Sequence, residues 1–444
     1  MLSVCPYFHV HQPHRIKRFK VFDIGKDPNY FNDDSECDLN NRRVLEKVAR
    51  KSYIPANRVL KELLTNHPEF RFAFSFSGTV LEQLEMYLPD VLASFQELVA
   101  TGRVEILADT YHHSLAFFYS IPEFERQVAL HQATIQRLFN VTPKVFRNTE
   151  LSYTNTLAQW CERNGYTGIL AEGWEPVLGW RSPNYVYTPV GCTTMKVLLK
   201  NYRLSDDVAF RFSERTWPSW PLNADTFASW VHAHHGNGAT INLFMDYETF
   251  GEHQWEDSGI FDFLRHFPQA LLRHPDTTFK TPSETIATND SVGELDVPHI
   301  LTWADTDRDL TAWVGNDIQR DAIAKTYALE ESVLATKDLE LIKTWRNLQT
   351  SDHFYYMCTK FFSDGDVHAY FSPYQSPYDA YIAFMNAISD LEWRVRNCVM
   401  PEEPAKVPSR ISFWDRIASY WRHIVGLVKS WWVKVICRDV IHKT

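Results

Sequence analysis

Two segments each carry an acid at the end of an apolar run: Lys144-Val145-Phe146-Arg147-Asn148-Thr149-Glu150 and Ile241-Asn242-Leu243-Phe244-Met245-Asp246-Tyr247-Glu248. Both read as a buried strand that breaks into polar residues at its C-terminal end. In an α/β barrel that edge carries reacting groups, because a strand holds its last residue rigidly while the following loop shapes a pocket. Glu150 and Asp246 are therefore candidates for one catalytic pair. Two carboxyl groups flanking a sugar bond, one ionised and one protonated, are what glycoside hydrolysis requires.

Other polar clusters sit at equivalent places. In His9-Val10-His11-Gln12-Pro13-His14, strand alternation puts His9 and His11 on one side. There they suit hydrogen bonds to sugar hydroxyls or, together with Asp246, a metal ion, with satisfied structural histidines as the competing reading. The block Gly102–His113 follows in the same way, with Glu105 facing the barrel and Asp109 and His113 near its mouth. Glu252 and His253 lie farther along the loop after Asp246 and suit substrate contact or support, although solvated loop charges explain them as well. His232, His234 and His235 precede Gly236 and read as helix-end residues rather than ligands.

The elements that must position these groups are seven apolar runs: Leu2–Val10, Phe70–Phe76, Val104–Leu107, Val145–Phe146, Thr167–Ala171, Met195–Leu199 and Ile241–Met245. Helical spacings lie between them, over Arg42–Thr65, Val80–Ala100, Glu123–Phe139, Thr154–Asn164 and Gly259–Leu272. Strands alternating with helices predict a parallel sheet with crossovers, and a count near seven predicts a barrel one unit short of eight; an open doubly wound sheet is the alternative. From about residue 291 the pattern is helical, with Asp317–Asp338, Leu339–Gln349 and Tyr378–Asn397. The expected organisation is a barrel over 1–290, a helical domain over 291–400 completing the cleft, a proline-rich linker at 401–408 and a tail over 409–444.

In that tail Trp414, Ile417, Trp421, Ile424, Val428, Trp431 and Val435 mark the seam of an amphipathic helix, and seven Lys/Arg stand against two Asp. Tryptophan flanked by basic residues suits an anionic membrane surface or a partner helix; packing against the chain itself is the competing reading.

Composition limits the partners. A net charge of −10 and a pI near 6.0 give no reason to expect nucleic acid. The 15 Trp, 20 Tyr and 29 Phe supply flat rings that can stack on sugars, although most must fill the core of a 444-residue chain. Trp174, Trp180, Tyr185 and Tyr187, in the Gly173–Thr188 loop after the fifth strand, are the stacking candidates. Seven scattered cysteines without a C-x-x-C pair predict neither a disulfide framework nor a thiolate zinc site, and a cytoplasmic setting is expected.

Taken together the segments resemble glycoside hydrolase family 57, closest to its α-amylase-type members. The likeness rests on five ordered blocks spread over roughly residues 1–395: His9–Pro13, Gly102–His113, Phe146–Leu151, Met245–His253 and Asp309–Asp317. It implies an incomplete (β/α)7 barrel and a retaining enzyme acting on α-1,4-glucan. It further implies Glu150 as nucleophile, Asp246 as acid/base, and His11 and Trp313 as subsite residues. With His9, His113, Trp174, Glu252 and His253 these make the expected substrate-binding set, with no metal or cofactor. Retention needs the carboxyl groups about 5–5.5 Å apart. The rival readings are a metal-dependent carbohydrate hydrolase or deacetylase using His9, His11 and Asp246, and a catalytically silent glucan-binding scaffold.

Overall fold

The first strand, β1 (Leu2–Val10), is buried along all nine residues, as expected of a parallel strand covered on both faces. It pairs in parallel with β2 (Phe72–Phe76) and β8 (Thr240–Asp246), and β2 continues to β3 (Val104–Ile106). A second ladder joins β4 (Val145–Phe146), β5 (Gly168–Glu172) and β7 (Lys196–Lys200) in parallel. Ala108 N–H donates to the Val145 carbonyl and Arg147 N–H to the Ala108 carbonyl, each at 2.9 Å, which links β3 to β4. Asn201 N–H donates to the Asn242 carbonyl at 2.9 Å and the Asn242 side-chain amide to the Leu199 carbonyl at 2.8 Å, which brings β7 to β8. The seven strands thus close as an incomplete (β/α)7 barrel, with an asparagine side chain bridging the last gap. The computed structural model describes residues 1–33, 37–360 and 370–399, so the linker and the tail of 409–444 lie outside the described residues.

Three short strands have no counterpart in the sequence reading. β6 (Val186–Pro189) runs antiparallel to β7, β9 (Thr277–Phe279) borders the start of β1, and β10 (Glu294–Leu295) extends β6. They are too short for a period-2 signal. Tyr187 therefore belongs to β6 rather than to a loop, and its ring is part of the core.

Helix lengths were set by breaks that spacing alone hides. The expected helix Val80–Ala100 is two helices, Gly78–Tyr87 and Pro89–Ala100, because Pro89 has no N–H to donate and forces Leu88 to φ −140°, ψ 58°. Arg42–Thr65 is interrupted by a π-helical turn at Ala49–Tyr53, whose Ser52 hydroxyl reaches the Tyr247 carbonyl at 3.3 Å. Asp317–Asp338 divides into Asp317–Ala328 and Glu330–Thr336. Ser351–Tyr355 and Pro377–Val399 follow.

Among the described residues most phenylalanines are buried in the core. Phe8, Phe72, Phe74, Phe76, Phe95 and Tyr247 are buried in one cluster, with Phe74 and Tyr247 ring centroids 5.1 Å apart. This packing fixes β8 against β1 and β2, and so fixes what the strand ends present. Register places Ser75, His9 and Asp246 in one row across β2, β1 and β8. Likewise Glu172 of β5 pairs with Lys200 of β7.

Candidate active site

A cavity of about 420 Å³ opens at the C-terminal ends of the strands, lined by both Glu150 and Asp246. His9, His11, His113, His253 and Trp313 also line it, whereas Trp174 and Glu252 do not. Trp174 packs half-buried against the cluster around β5 and β7. Glu252 faces Lys47 at 3.0 Å and Lys51 at 3.2 Å, so its charge is already answered.

Glu150 is held in an unusual conformation. Its φ of 59° and ψ of 27° are left-handed, Leu151 follows at φ 50°, and His113 beside it also has φ 50°. Three side-chain-bearing residues in this region at one site imply that the surroundings compensate their strain. The compensation is visible at the carboxylate: Oε1 accepts from His113 Nε2 and from Ser351 Oγ, each at 3.1 Å, and Oε2 accepts from Trp303 Nε1 at 2.9 Å.

The tautomer of His113 follows from its other nitrogen. Arg147 Nη1 approaches His113 Nδ1 at 3.5 Å, and an arginine can only donate, so Nδ1 accepts and the proton sits on Nε2, facing Glu150. Burial, then the neighbouring His11, push His113 down to about 4, so near neutral pH it acts as a hydrogen-bond donor rather than a cation. Burial alone would raise the Glu150 carboxyl, but the His113 hydrogen bond and the permanent charge of Arg147 outweigh it and hold Glu150 below the ordinary glutamate value.

Asp246 has the opposite environment. Burial, the charge of Glu248 and the charge of Glu150 raise its carboxyl to about 7, against the opposing pull of Arg147 and Lys200. Glu248 is fixed by Gln12 Nε2 at 3.3 Å and by the Tyr53 hydroxyl. One acid is therefore poised to stay ionised and its neighbour to keep a proton, the division of labour that acid/base chemistry at a sugar bond needs.

The three histidines are stacked rather than convergent. His11 and His113 have ring centroids 4.0 Å apart at 27°, and His9 and His113 are 4.9 Å apart at 22°. Their nearest ligand atoms lie within 4.8 Å of one another, a spacing that admits a metal ion. Their nitrogens are engaged otherwise. His11 bonds Ser77 Oγ at 2.7 Å and Asp352 Oδ2 at 2.9 Å, His113 bonds Arg147 and Glu150, and His9 Nδ1 bonds Ser75 Oγ at 2.7 Å. Only His9 Nε2 lacks a partner among the described residues. Near-parallel rings also direct their lone pairs side by side instead of toward one point. The residues present do not fit a metal held by three imidazoles, and Asp246 is not part of the group.

Asp109 lies behind the cavity, fully buried and paired with Arg147 at 3.2 Å, where burial raises it to about 6. Glu105 accepts from Ser283 N–H at 2.8 Å, at the start of the helix Pro282–Thr288, away from the mouth. His232 and His235 bond the Leu271 carbonyl and the Thr277 hydroxyl, both at 3.0 Å, so they tie their helix end to the end of the helix Ile260–Leu272 and to the start of β9.

Several residues at the site were invisible to sequence reading. The Trp303 ring is approached by two cations, Arg147 at 5.1 Å and Lys200 at 5.6 Å from its centroid. Lys200 pairs with Asp206 at 2.9 Å and with Glu172 at 3.5 Å, and Arg308 reaches the same two acids at 3.6 and 3.4 Å. Ser351 and Asp352 come from a helix 201 or more residues beyond Glu150. No local pattern marks such groups; the available hint for Lys200 was a lysine closing an otherwise apolar run.

The family model for glycosyl hydrolase family 57 matches residues 7–298. A candidate alpha-amylase of Methanocaldococcus jannaschii is 40% identical over 408 residues, covering 89% of this chain and 85% of that protein. Among solved structures, a branching enzyme of the same family from Thermococcus kodakaraensis superposes with a TM-score of 0.62 at 14% identity, covering 89% of this chain and 90% of that one. The 4-alpha-glucanotransferase of Thermococcus litoralis gives 0.59 at 16% identity over 80% of this chain, which spans only 56% of that larger protein. At such identities the solved structures speak for the fold; the sequence matches speak for descent. The chain belongs to glycosyl hydrolase family 57.

Proposed function

We propose that this glycoside hydrolase acts on α-1,4-glucan with retention of configuration, through a covalent glycosyl-enzyme on Glu150. The observation that carries the reading is the opposed electrostatics of Glu150 and Asp246 on the wall of one cavity. A Glu150 oxygen attacks the anomeric carbon while Asp246 gives its proton to the departing glycosidic oxygen, leaving an ester and a free chain end. Asp246, now a carboxylate, takes a proton from water or from a sugar hydroxyl as that oxygen attacks the ester, which gives hydrolysis or transfer. The α-glucan part of the proposal is supported by the names of the related amylase, branching enzyme and glucanotransferase. His9, His11, His113, His253 and Trp313 are assigned to sugar binding because they line the cavity.

Incubation with maltoheptaose and with amylose, with products resolved by size and linkage, tests this. Shorter or redistributed α-linked chains are expected. An absence of any product would favour the silent glucan-binding scaffold.

The free thiols of Cys5, Cys161, Cys192 and Cys398 are compatible with a cytoplasmic setting, and no helix among the described residues is long and apolar enough to cross a membrane. The basic amphipathic segment 409–444 is assigned to an anionic membrane surface or a partner helix. Cosedimentation with anionic liposomes, with and without residues 409–444, checks the membrane version; equal binding of both forms removes it.

A further inference from the structure

Two exposed aromatic rings stand on the walls of the cavity that holds the two carboxylates. Phe210 is 60% exposed and Phe371 is 38% exposed, and both line it. Phe371 meets Tyr370 edge-on with centroids 5.0 Å apart, and Tyr370 is itself 63% exposed. Phe371 also meets the His253 ring at 5.4 Å, and Tyr370 lies 6.4 Å from that same ring. Neither phenylalanine belongs to the hydrophobic clusters found among the described residues. Single exposed apolar side chains are ordinary, but several around the rim of one functional cavity mark a surface that gains by being covered.

The chemistry of the cover follows from the contrast between rim and floor. Below the rings the walls carry both signs of charge, with Lys200 and Arg308 against Asp206. An apolar ligand would leave these groups unsolvated, and a strongly charged one would meet repulsion from half of them. A neutral chain of flat rings, with apolar faces and hydroxyl edges, satisfies both parts. We propose that Phe210 and the Phe371–Tyr370 pair are stacking platforms for glucosyl units beyond the one held at Glu150 and Asp246, so that the site selects long chains over short ones. This rests on the α-glucan reading above and extends it to chain length.

The test compares maltotriose with maltoheptaose in the intact protein and in Phe210→Ala, Phe371→Ala and Phe371→Leu. The preference of kcat/KM for maltoheptaose should fall about two- to tenfold in each variant, the size of one aromatic contact, and should fall through KM rather than kcat. Phe371→Leu keeps apolar bulk without a flat face, so a loss equal to that of Phe371→Ala identifies stacking rather than packing. Calorimetric binding of the same two sugars, with each substitution placed in a Glu150→Gln background, supplies a second reading that does not depend on turnover. If the protein binds both sugars but converts neither, the proposed reaction fails and the binding ratio alone decides the platforms. An unchanged ratio in all variants, or no preference for the longer sugar in the unsubstituted protein, overturns the inference.

Discussion

Trp303 holds Glu150 at both ends: its indole N–H donates to Oε2 at 2.9 Å and its backbone N–H donates to the Glu150 carbonyl at 3.2 Å. The contact therefore fixes the carboxylate and helps maintain the left-handed backbone that aims it. Trp303→Phe keeps a ring beside Arg147 and Lys200 but removes the indole donor. A hydrogen bond to a charged group contributes about 1.5–3 kcal/mol, which corresponds to a fall in kcat/KM of about 10- to 100-fold. Because the lost bond stabilises the ionised form, the acidic limb of the pH profile should also move to higher pH. A variant with unchanged rate and profile would show that the indole merely fills space.

The pH dependence has a defined direction. The proposed mechanism needs Glu150 ionised and Asp246 protonated, so kcat/KM should decline on the alkaline side as Asp246 loses its proton, near its value of about 7. On the acid side activity should persist below the ordinary glutamate value, since Glu150 is shifted down. Glu248 is the leading charge that raises Asp246, so Glu248→Gln should move the alkaline limb to lower pH. Rate profiles of both proteins decide the point; a limb that stays or moves upward contradicts the assignment.

How much of this was legible in the sequence depended on distance along the chain. A strand ending in an acid is a local pattern, and it marks both Glu150 and Asp246, which line one cavity, as alternation marks the histidines of β1. The cage around Glu150 was not local. Trp303 and Ser351 meet it only because the chain returns 153 and 201 residues later, and nothing in their neighbours' spacing encodes that return. Glu252 looked like its companions until the fold supplied Lys47 and Lys51. The break at Leu88 was readable from Pro89 but masked by unbroken apolar spacing on either side.

Gly251 should be intolerant of a side chain. It has φ +108°, and an added Cβ would stand 1.9 Å from the Lys51 carbonyl oxygen, in the turn that carries Asp246 and Glu248 past the π-helical segment. Gly236 has φ +80° with nothing within 4 Å of its added Cβ. Gly236→Ala should cost about 1–2 kcal/mol from conformation alone. Gly251→Ala should cost clearly more, because backbone must also move. Denaturant unfolding of the two variants measures the difference, and equal losses would mean that the close approach is unimportant.

Removal of metal ions should leave the enzyme unaffected. The imidazole nitrogens of His11 and His113 are engaged by Ser77, Asp352, Arg147 and Glu150. Dialysis against a chelator should therefore preserve the rate on maltoheptaose. A loss restored stoichiometrically by zinc would revive a metal-centred reading.

The central claim is a covalent bond to Glu150, and trapping that bond tests it most directly. In Asp246→Ala, α-maltosyl fluoride needs no acid for departure of fluoride, while the base for the second step is missing, so the glycosyl-enzyme should accumulate. Mass spectrometry of a digest should find the maltosyl increment on the peptide containing Glu150. An increment on another residue, or consumption of the fluoride with inverted product and no labelled peptide, would contradict the account.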